Sequence, residues 1–448
     1  MTLSLWPNQL EEASMIDGNP YAFIAADMGT GKSAAAIVGL RRCDRILLVC
    51  PIAVGPAWVK QLAMWDESGR EVVLAVDGSA KKRAAAIKAA GKRCVVIVNY
   101  DAVWRGEVGK VVTGRKWDAI VLDESHKIKS PSGRASKWLA KLAEAQPKAK
   151  RVCLTGTPTP HSPLDWWAQA RFLDPSLLGK SFTAYRHRIA KMHPRFPSFV
   201  LEYRPEALEA LAARLDPHVY RIKADDVLTL PELLNIDIAV TLPKSSREYY
   251  DRLEEDLVAT LDTGETVTAA NKLVVVTRLQ QATSGYAVDE LGNTVSLPGG
   301  NPKEAALQEW LEDLPPTEPV VIFCKFIHDI DTAKRVLKRI GRSHSELSGR
   351  KKSLDQWQSG DTIALIVQQQ AGGVGVDCTR AAYACYFSLS HSLGDFDQSL
   401  ARLRRPGQTR PCRFYHLVAD DTVDRAIYEA LRNKRDVTEA VLARLTRR

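Results

Sequence analysis

The sequence predicts an α/β protein made of two parallel-sheet domains with helical insertions between them. Three observations carry this prediction. Short apolar runs alternate with helical patterns in the first part of the chain, a middle stretch loses the strand signal, and the alternation returns after residue 316. The runs are continuously rich in Val, Ile and Leu. Strands covered on both faces read this way, whereas half-exposed ones alternate. With 448 residues and 45% hydrophobic content there is material for more than one core.

Taken in order, the first runs occupy residues 21–25, 45–50, 71–76, 94–98, 119–122 and 151–154. Between them, 33–42 and 56–65 read as helices. From 160 to 316 the chain is rich in helix formers, aromatics and charges, as in ALEALAARL and REYYDRLEEDLVATL, and reads as helical extension and linker. Leu314-Pro315-Pro316-Thr317 marks a boundary. Beyond it, 320–323, 362–367, 381–387 and 413–417 read as strands, and 330–340 and 396–403 as helices. The expected divisions are therefore 1–230, a helical linker 231–315, and 316–448.

The formal net charge is +9, much of it after residue 400. Such an excess favours a polyanionic partner such as nucleic acid, although a merely basic protein would carry the same charge. The eight cysteines form no C-x-x-C pair and lie mostly in apolar runs, such as Cys50 in ILLVC. That pattern predicts buried free thiols in a reducing compartment and no zinc module. The N-terminus lacks the basic and apolar regions of a signal peptide, and no apolar run is long enough to span a membrane. An intracellular protein without a membrane partner is expected.

Ala26-Asp27-Met28-Gly29-Thr30-Gly31-Lys32-Ser33 follows an apolar run and opens a helical one. This is the setting of a phosphate-binding loop. Its glycines let main-chain N–H groups curl round phosphates at a helix N-terminus. Lys32 would reach the β- and γ-phosphates of ATP, and the Ser33 hydroxyl would join a Mg2+ shell. The first position departs from the usual glycine and is Ala26. At the end of a later run stand Asp123 and Glu124, followed by Ser125 and His126. A parallel sheet projects such residues from its carboxyl edge, where the phosphate loop also lies. Asp123 can hold the magnesium, and Glu124 can orient and deprotonate the attacking water.

Leu154-Thr155-Gly156-Thr157-Pro158 ends the next run, where small hydroxyl residues can relay between nucleotide and a second ligand. In the second domain, Gln398 to Gln408 gathers several guanidinium groups. Arg402 and Arg405 are three apart and so are expected on one helix face. A cationic fork of this kind can stabilise charge on a transferring phosphoryl group. A basic helix facing nucleic acid or solvent would look the same. Upstream, Ala371-Gly372-Gly373-Val374-Gly375-Val376-Asp377 is a glycine-rich loop after a strand, which alone is also compatible with a flexible turn.

In this order the motifs resemble those of the Swi/Snf-type DNA translocases of helicase superfamily two, from about residue 5 to residue 427. The compact form is similar to bacterial or phage-encoded members. The resemblance implies two RecA-like lobes, ATP and Mg2+ as cofactors, and hydrolysis coupled to movement along double-stranded DNA. Leu5-Trp6-Pro7-Asn8-Gln9 is similar to the adenine-reading motif, with Gln9 as its glutamine. Met28, Gly29, Thr30, Gly31, Lys32 and Ser33 match the phosphate loop. Gly375 and Asp377 match nucleotide-contacting positions of the second lobe. The same likeness places Pro51, Trp58, Thr155, Gly156, Gly372 and Thr379 against nucleic acid, and makes Arg402 and Arg405 arginine fingers. Ala401, Arg404 and Asp377 depart from the residues usual at their positions. A strand-separating helicase acting on DNA or RNA shares these motifs. A non-catalytic DNA-binding protein on the same fold is the reading from another class; the intact Lys32, Asp123, Glu124, Arg402 and Arg405 argue against it.

Overall fold

Residues 4–160, 162–192, 200–262, 269–289, 291–370, 376–433 and 437 are described by the computed structural model. The chain divides into two units, Met1–Thr229 and Leu230–Arg448. The first holds β1 (Tyr21–Ala26), β2 (Arg45–Cys50), β3 (Glu71–Leu74), β4 (Cys94–Asn99), β5 (Ala119–Asp123) and β6 (Lys150–Thr155). A small antiparallel pair, β7 (Ala190–Met192) and β8 (Val200–Tyr203), precedes β9 (Val219–Ile222). The main sheet is ordered β3-β4-β2-β5-β6-β1-β9, and every pairing in it is parallel. All residues of β4 and β5 are buried, as their unbroken apolar sequences require.

The second unit contains β10 (Leu233–Val240), the hairpin β11 (Tyr286–Val288) and β12 (Thr294–Ser296), then β13 (Val320–Cys324), β14 (His344–Leu347), β15 (Ala364–Gln368), β16 (Tyr383–Tyr386) and β17 (Cys412–Ala419). Its parallel sheet is ordered β10-β17-β16-β13-β15-β14. The two-sheet α/β class predicted from sequence is thus the observed one. All eight cysteines are free and buried. Among the described residues, no helix is long and apolar enough to cross a membrane.

Strands β7 to β12 and β14 are not read from the sequence, and two of them, β10 and β14, show the physical reasons. Residues 233–240 fall in the stretch read as helical linker, yet they form the edge of the second sheet, paired along β17. As an edge strand, β10 leaves most of its residues partly exposed, so it lacks a continuous apolar run. The strand β14 reads HSEL and buries Ser345 and Glu346. Polar partners make this tolerable: Ser345 Oγ lies 2.7 Å from Thr362 Oγ1, and Glu346 is paired with Lys334 and Arg350.

The helices Pro302–Glu312 and Val423–Arg432 are joined by a buried ion pair, Lys303 Nζ to Asp424 Oδ2 at 2.6 Å. Removing one partner strands the other charge out of water. Lys303→Ala is therefore expected to lower stability by about 3 kcal/mol, read as a shifted urea midpoint. An unchanged midpoint would contradict the pairing.

Candidate nucleotide site

Parallel pairing brings the carboxyl ends of β5, β6 and β1 side by side. Asp123 is in register with Leu154, Leu154 with Ile24, and Thr155 with Ala25. The loops leaving these strands carry the acidic pair, the Thr155–Pro158 turn and the phosphate loop. In an open parallel sheet this edge is where ligands bind.

The phosphate loop joins β1 to the helix Lys32–Gly39. Gly29 and Gly31 have φ of 84° and 89°, a left-handed geometry that favours glycine. Gly31 has a second constraint, because a Cβ there would meet Gln9 Nε2 at 1.7 Å. Ala26 needs no glycine. It is still in β1 and in register with Ile222, which accounts for the departure at this position. Met28 and Gly29 are at least partly exposed, while Thr30 is buried with its hydroxyl donating to Asp27 O. Lys32 Nζ donates to Ala26 O at 2.5 Å and Asp27 O at 2.8 Å. Its ammonium is thus held over the loop by two uncharged carbonyls, a setting that suits an anion.

Gln9 sits beneath this loop. Its Oε1 accepts from Trp6 N at 2.9 Å and its Nε2 donates to Thr30 O at 3.3 Å. Gln9, to which the resemblance gives the adenine-reading place, is 5% exposed here, and its amide fastens the first helix to the phosphate loop. Asn8 Nδ2 donates to the same carbonyl at 3.1 Å.

Asp123 ends β5, and Glu124 follows with φ 55° and ψ 52°, a strained conformation for a residue with a side chain. Both carboxylates are buried. Asp123 Oδ2 accepts from Trp58 Nε1 at 2.7 Å, its Oδ1 from Glu124 N at 3.0 Å, and its main-chain O from Tyr100 OH at 2.8 Å. Burial, and then the Glu124 charge, push the Asp123 carboxyl up. Burial is the largest influence on Glu124 and pushes it up, but the bond and charge of His126 with the charges of Lys32 and Lys127 together hold it below the usual range. His126 Nδ1 lies 3.2 Å from Glu124 Oε2 and 3.0 Å from Thr155 Oγ1, which in turn accepts from Thr157 N. Ser125 donates to Gln169 Oε1 at 2.8 Å, and Gln169 Nε2 donates to Pro158 O at 2.8 Å. Two separate bridges therefore join the acidic pair to the turn after β6.

The other residues assigned from sequence are placed by the same edge. Trp58 is 3% exposed and bonded to Asp123, so it positions the acidic pair. Thr155 is fully buried in the His126 bridge. Gly156 faces the phosphate loop, where a Cβ would stand 3.4 Å from Ala26 O. Pro51 is half-buried at the end of β2. Sequence offered no sign of Gln169, a buried amide inside the helix Trp166–Leu173, and gave His126 no role.

In the second unit the helix Leu393–Leu403 ends before Arg405, so Arg402 and Arg405 do not share a helix face. Arg402 is 3% exposed, and its Nη1 has no partner among the described residues. Arg405 is half-buried, 3.9 Å from Asp377 Oδ2. Asp377 Oδ1 accepts from Thr379 N and Oγ1 at 2.9 and 2.7 Å, while Gln408 Nε2 donates to Thr379 O at 3.0 Å. Gly372 and Gly375 lie outside the described residues.

Among the described residues no cluster of three His, Cys, Asp or Glu could hold a metal. Magnesium needs none, since it commonly keeps its waters and takes one or two protein oxygens plus phosphates. The Ser33 hydroxyl and the Asp123 carboxylate fit that requirement.

A glycine-bearing loop with a lysine ammonium held over it by two carbonyls, beside a buried acidic pair on the same sheet edge, defines the class: an enzyme that hydrolyses ATP. The comparisons narrow it. A model described as SNF2-related domain matches residues 8–285, and one described as helicase conserved C-terminal domain matches residues 302–407. The chain belongs to the SNF2-related family. It is 28% identical over 456 residues to protein p41 of Acyrthosiphon pisum secondary endosymbiont phage 1, covering 94% of each chain. It is 23% identical over 447 residues to an uncharacterized ATP-dependent helicase, MG018, of Mycoplasma genitalium, covering 95% of this chain but 41% of that protein. The Sulfolobus solfataricus SWI2/SNF2 ATPase core in complex with dsDNA aligns with a TM-score of 0.45 at 20% identity, covering 98% of this chain and 93% of that one.

Trp58→Phe keeps the ring but removes the N–H that orients Asp123. Outer-shell changes of this kind typically cost about 10- to 100-fold in metal affinity or activity. ATP turnover titrated with magnesium is expected to show that loss with folding intact. A wild-type magnesium dependence would contradict the positioning role.

Proposed function

We propose that this chain is a DNA-dependent ATPase that couples ATP hydrolysis to translocation along double-stranded DNA. The observation that carries the reading is the bridge Glu124–His126–Thr155. It ties the carboxylate best placed to activate water to the turn after β6, a second loop on the same edge. A change at the phosphate is thereby felt outside the nucleotide site, as a motor requires. Membership of the SNF2-related family and the net charge of +9 support a nucleic-acid track. The similarity to an ATP-dependent helicase agrees with it.

On this reading the phosphate loop cradles the triphosphate and Lys32 turns from its carbonyls to the β- and γ-oxygens. Ser33 and Asp123 hold magnesium, which when bound spreads the charge of the terminal phosphates. Glu124, kept ionised by His126, takes the proton of the attacking water. The resemblance implies that Arg402 and Arg405 are arginine fingers, and Arg405 is the more accessible of the two. Contact with DNA runs through its backbone and is without sequence preference.

Glu124→Gln is expected to retain nucleotide binding while turnover falls by about 100-fold or more. The test of the track is ATP turnover with duplex DNA, single-stranded DNA and RNA, beside triplex displacement and duplex unwinding. Stimulation by duplex with triplex displacement and without unwinding is the expected result. Stimulation by single strands or RNA alone, or unwinding, would overturn duplex translocation.

A further inference from the structure

The first helix, Pro7–Gly18, packs on the phosphate-loop helix, Lys32–Gly39. Glycines allow close approach at both ends of that contact. A Cβ at Gly31 would meet Gln9, and one at Gly39 would come within 2.8 Å of Ala13 O and 2.9 Å of Ile16 Cβ. Glu12 stands between these two points and is fully buried. The hydrolytic reading does not use it. Its Oε1 accepts a long bond from Asn8 Nδ2 at 3.4 Å, and its Oε2 has no hydrogen-bond partner among the described residues. The same Asn8 amide donates to Thr30 O, which links Glu12 to the phosphate loop itself. A buried carboxylate with an unpaired oxygen is costly to keep charged.

Three elements pack on this helix. From the phosphate-loop helix, the Lys32 charge stabilises the ionised form of Glu12. From β9, the Tyr220 hydroxyl feels the Glu12 charge and donates to Glu11 Oε2 at 2.8 Å. From β1, residues 22–26 are apolar. Lys32 also lowers Asp123 and Glu124, so three buried carboxyls share one ammonium. They differ in what remains when ATP takes that ammonium. Glu124 keeps His126, and Asp123 keeps Trp58 and gains magnesium. Glu12 is left with the long Asn8 bond.

We propose that Glu12 is a positioning residue of the nucleotide site, a buried counter-charge for Lys32 that takes a proton from water when the phosphates of ATP claim the lysine. This rests on the nucleotide-site reading above. Burial raises the Glu12 carboxyl to about 7, with Lys32 and Asn8 acting the other way. Loss of the Lys32 charge to the phosphates raises it further, so binding near neutral pH takes up a proton. The sign follows from linkage. The nucleotide-free value is the lower one, so affinity is full below about 7 and falls as pH rises through it. As a carboxylate, Glu12 competes with phosphate for Lys32; as a carboxylic acid, it does not.

The test uses the whole chain and the β,γ-imido analogue of ATP with magnesium. Binding is followed by calorimetry at about pH 6 and about pH 8, in buffers of different ionisation enthalpy, so that protons are counted. Glu12→Gln is expected to match wild type at the lower pH. At the higher pH it should bind about fivefold more tightly, for a carboxyl that binding raises by about one unit. Wild type should take up a fraction of a proton more than the variant. Asp123 is raised too, but it is common to both proteins, so the difference belongs to Glu12. Equal proton uptake would overturn the proposal, even with a shifted urea midpoint, since packing alone moves the midpoint and leaves the proton count unchanged. If Glu12→Gln does not fold, Glu12→Met replaces it, and a wild type that takes up no proton overturns the proposal by itself. Failure of the nucleotide-site reading looks different, since wild type would then bind no analogue at either pH, and the proposal would fall with it.

Discussion

Two carboxyl groups in sequence, both out of water, are costly to keep, and the first unit is organised around keeping them. Desolvation and mutual repulsion would neutralise at least one. Trp58 and the Glu124 N–H offset this at Asp123 and His126 does so at Glu124, while the Lys32 charge lowers both. Each contribution comes from a different element. Trp58 stands on the helix after β2, Glu124 and His126 lie just beyond β5, and Lys32 opens the helix after β1. The parallel register makes these ends neighbours. The left-handed backbone at Glu124 is strain that the surrounding contacts hold in place.

The same contacts give the site its connections. The bonds that keep Glu124 ionised also run to Thr155, and a second bridge through Ser125 and Gln169 reaches Pro158. A group that stabilises a buried charge cannot move without altering it. On the proposed function, coupling between hydrolysis and the rest of the edge follows from that burial.

The legible part of this protein was what unbroken apolar runs encode. All of the first six strands agree with their runs to within a residue or two, because residues such as those of β4 and β5 are buried on both faces. The glycines of the phosphate loop and the Asp123–Glu124 pair were readable for a related reason: few other settings demand those residues at strand ends. Where side chains turn was not readable. Trp58 and Gln9 sit in recognisable motifs, yet both point inward. Arg402 and Arg405 have helical spacing, but the helix ends between them. Gln169 is a lone amide in a mostly apolar helix, and only the tertiary fold brings it to Ser125. Partners for a polar strand such as β14 likewise come from elsewhere in the unit.

The central claim is that Glu124 is held and coupled through His126 and Thr155. A double-mutant cycle measures it directly, using ATP turnover of wild type, His126→Ala, Thr155→Val and the pair. Side chains sharing one network typically show an interaction energy of about 0.5–3 kcal/mol. The account predicts such non-additivity, with the double variant little worse than the poorer single one. Losses that simply add would contradict it, since His126 and Thr155 would then act independently.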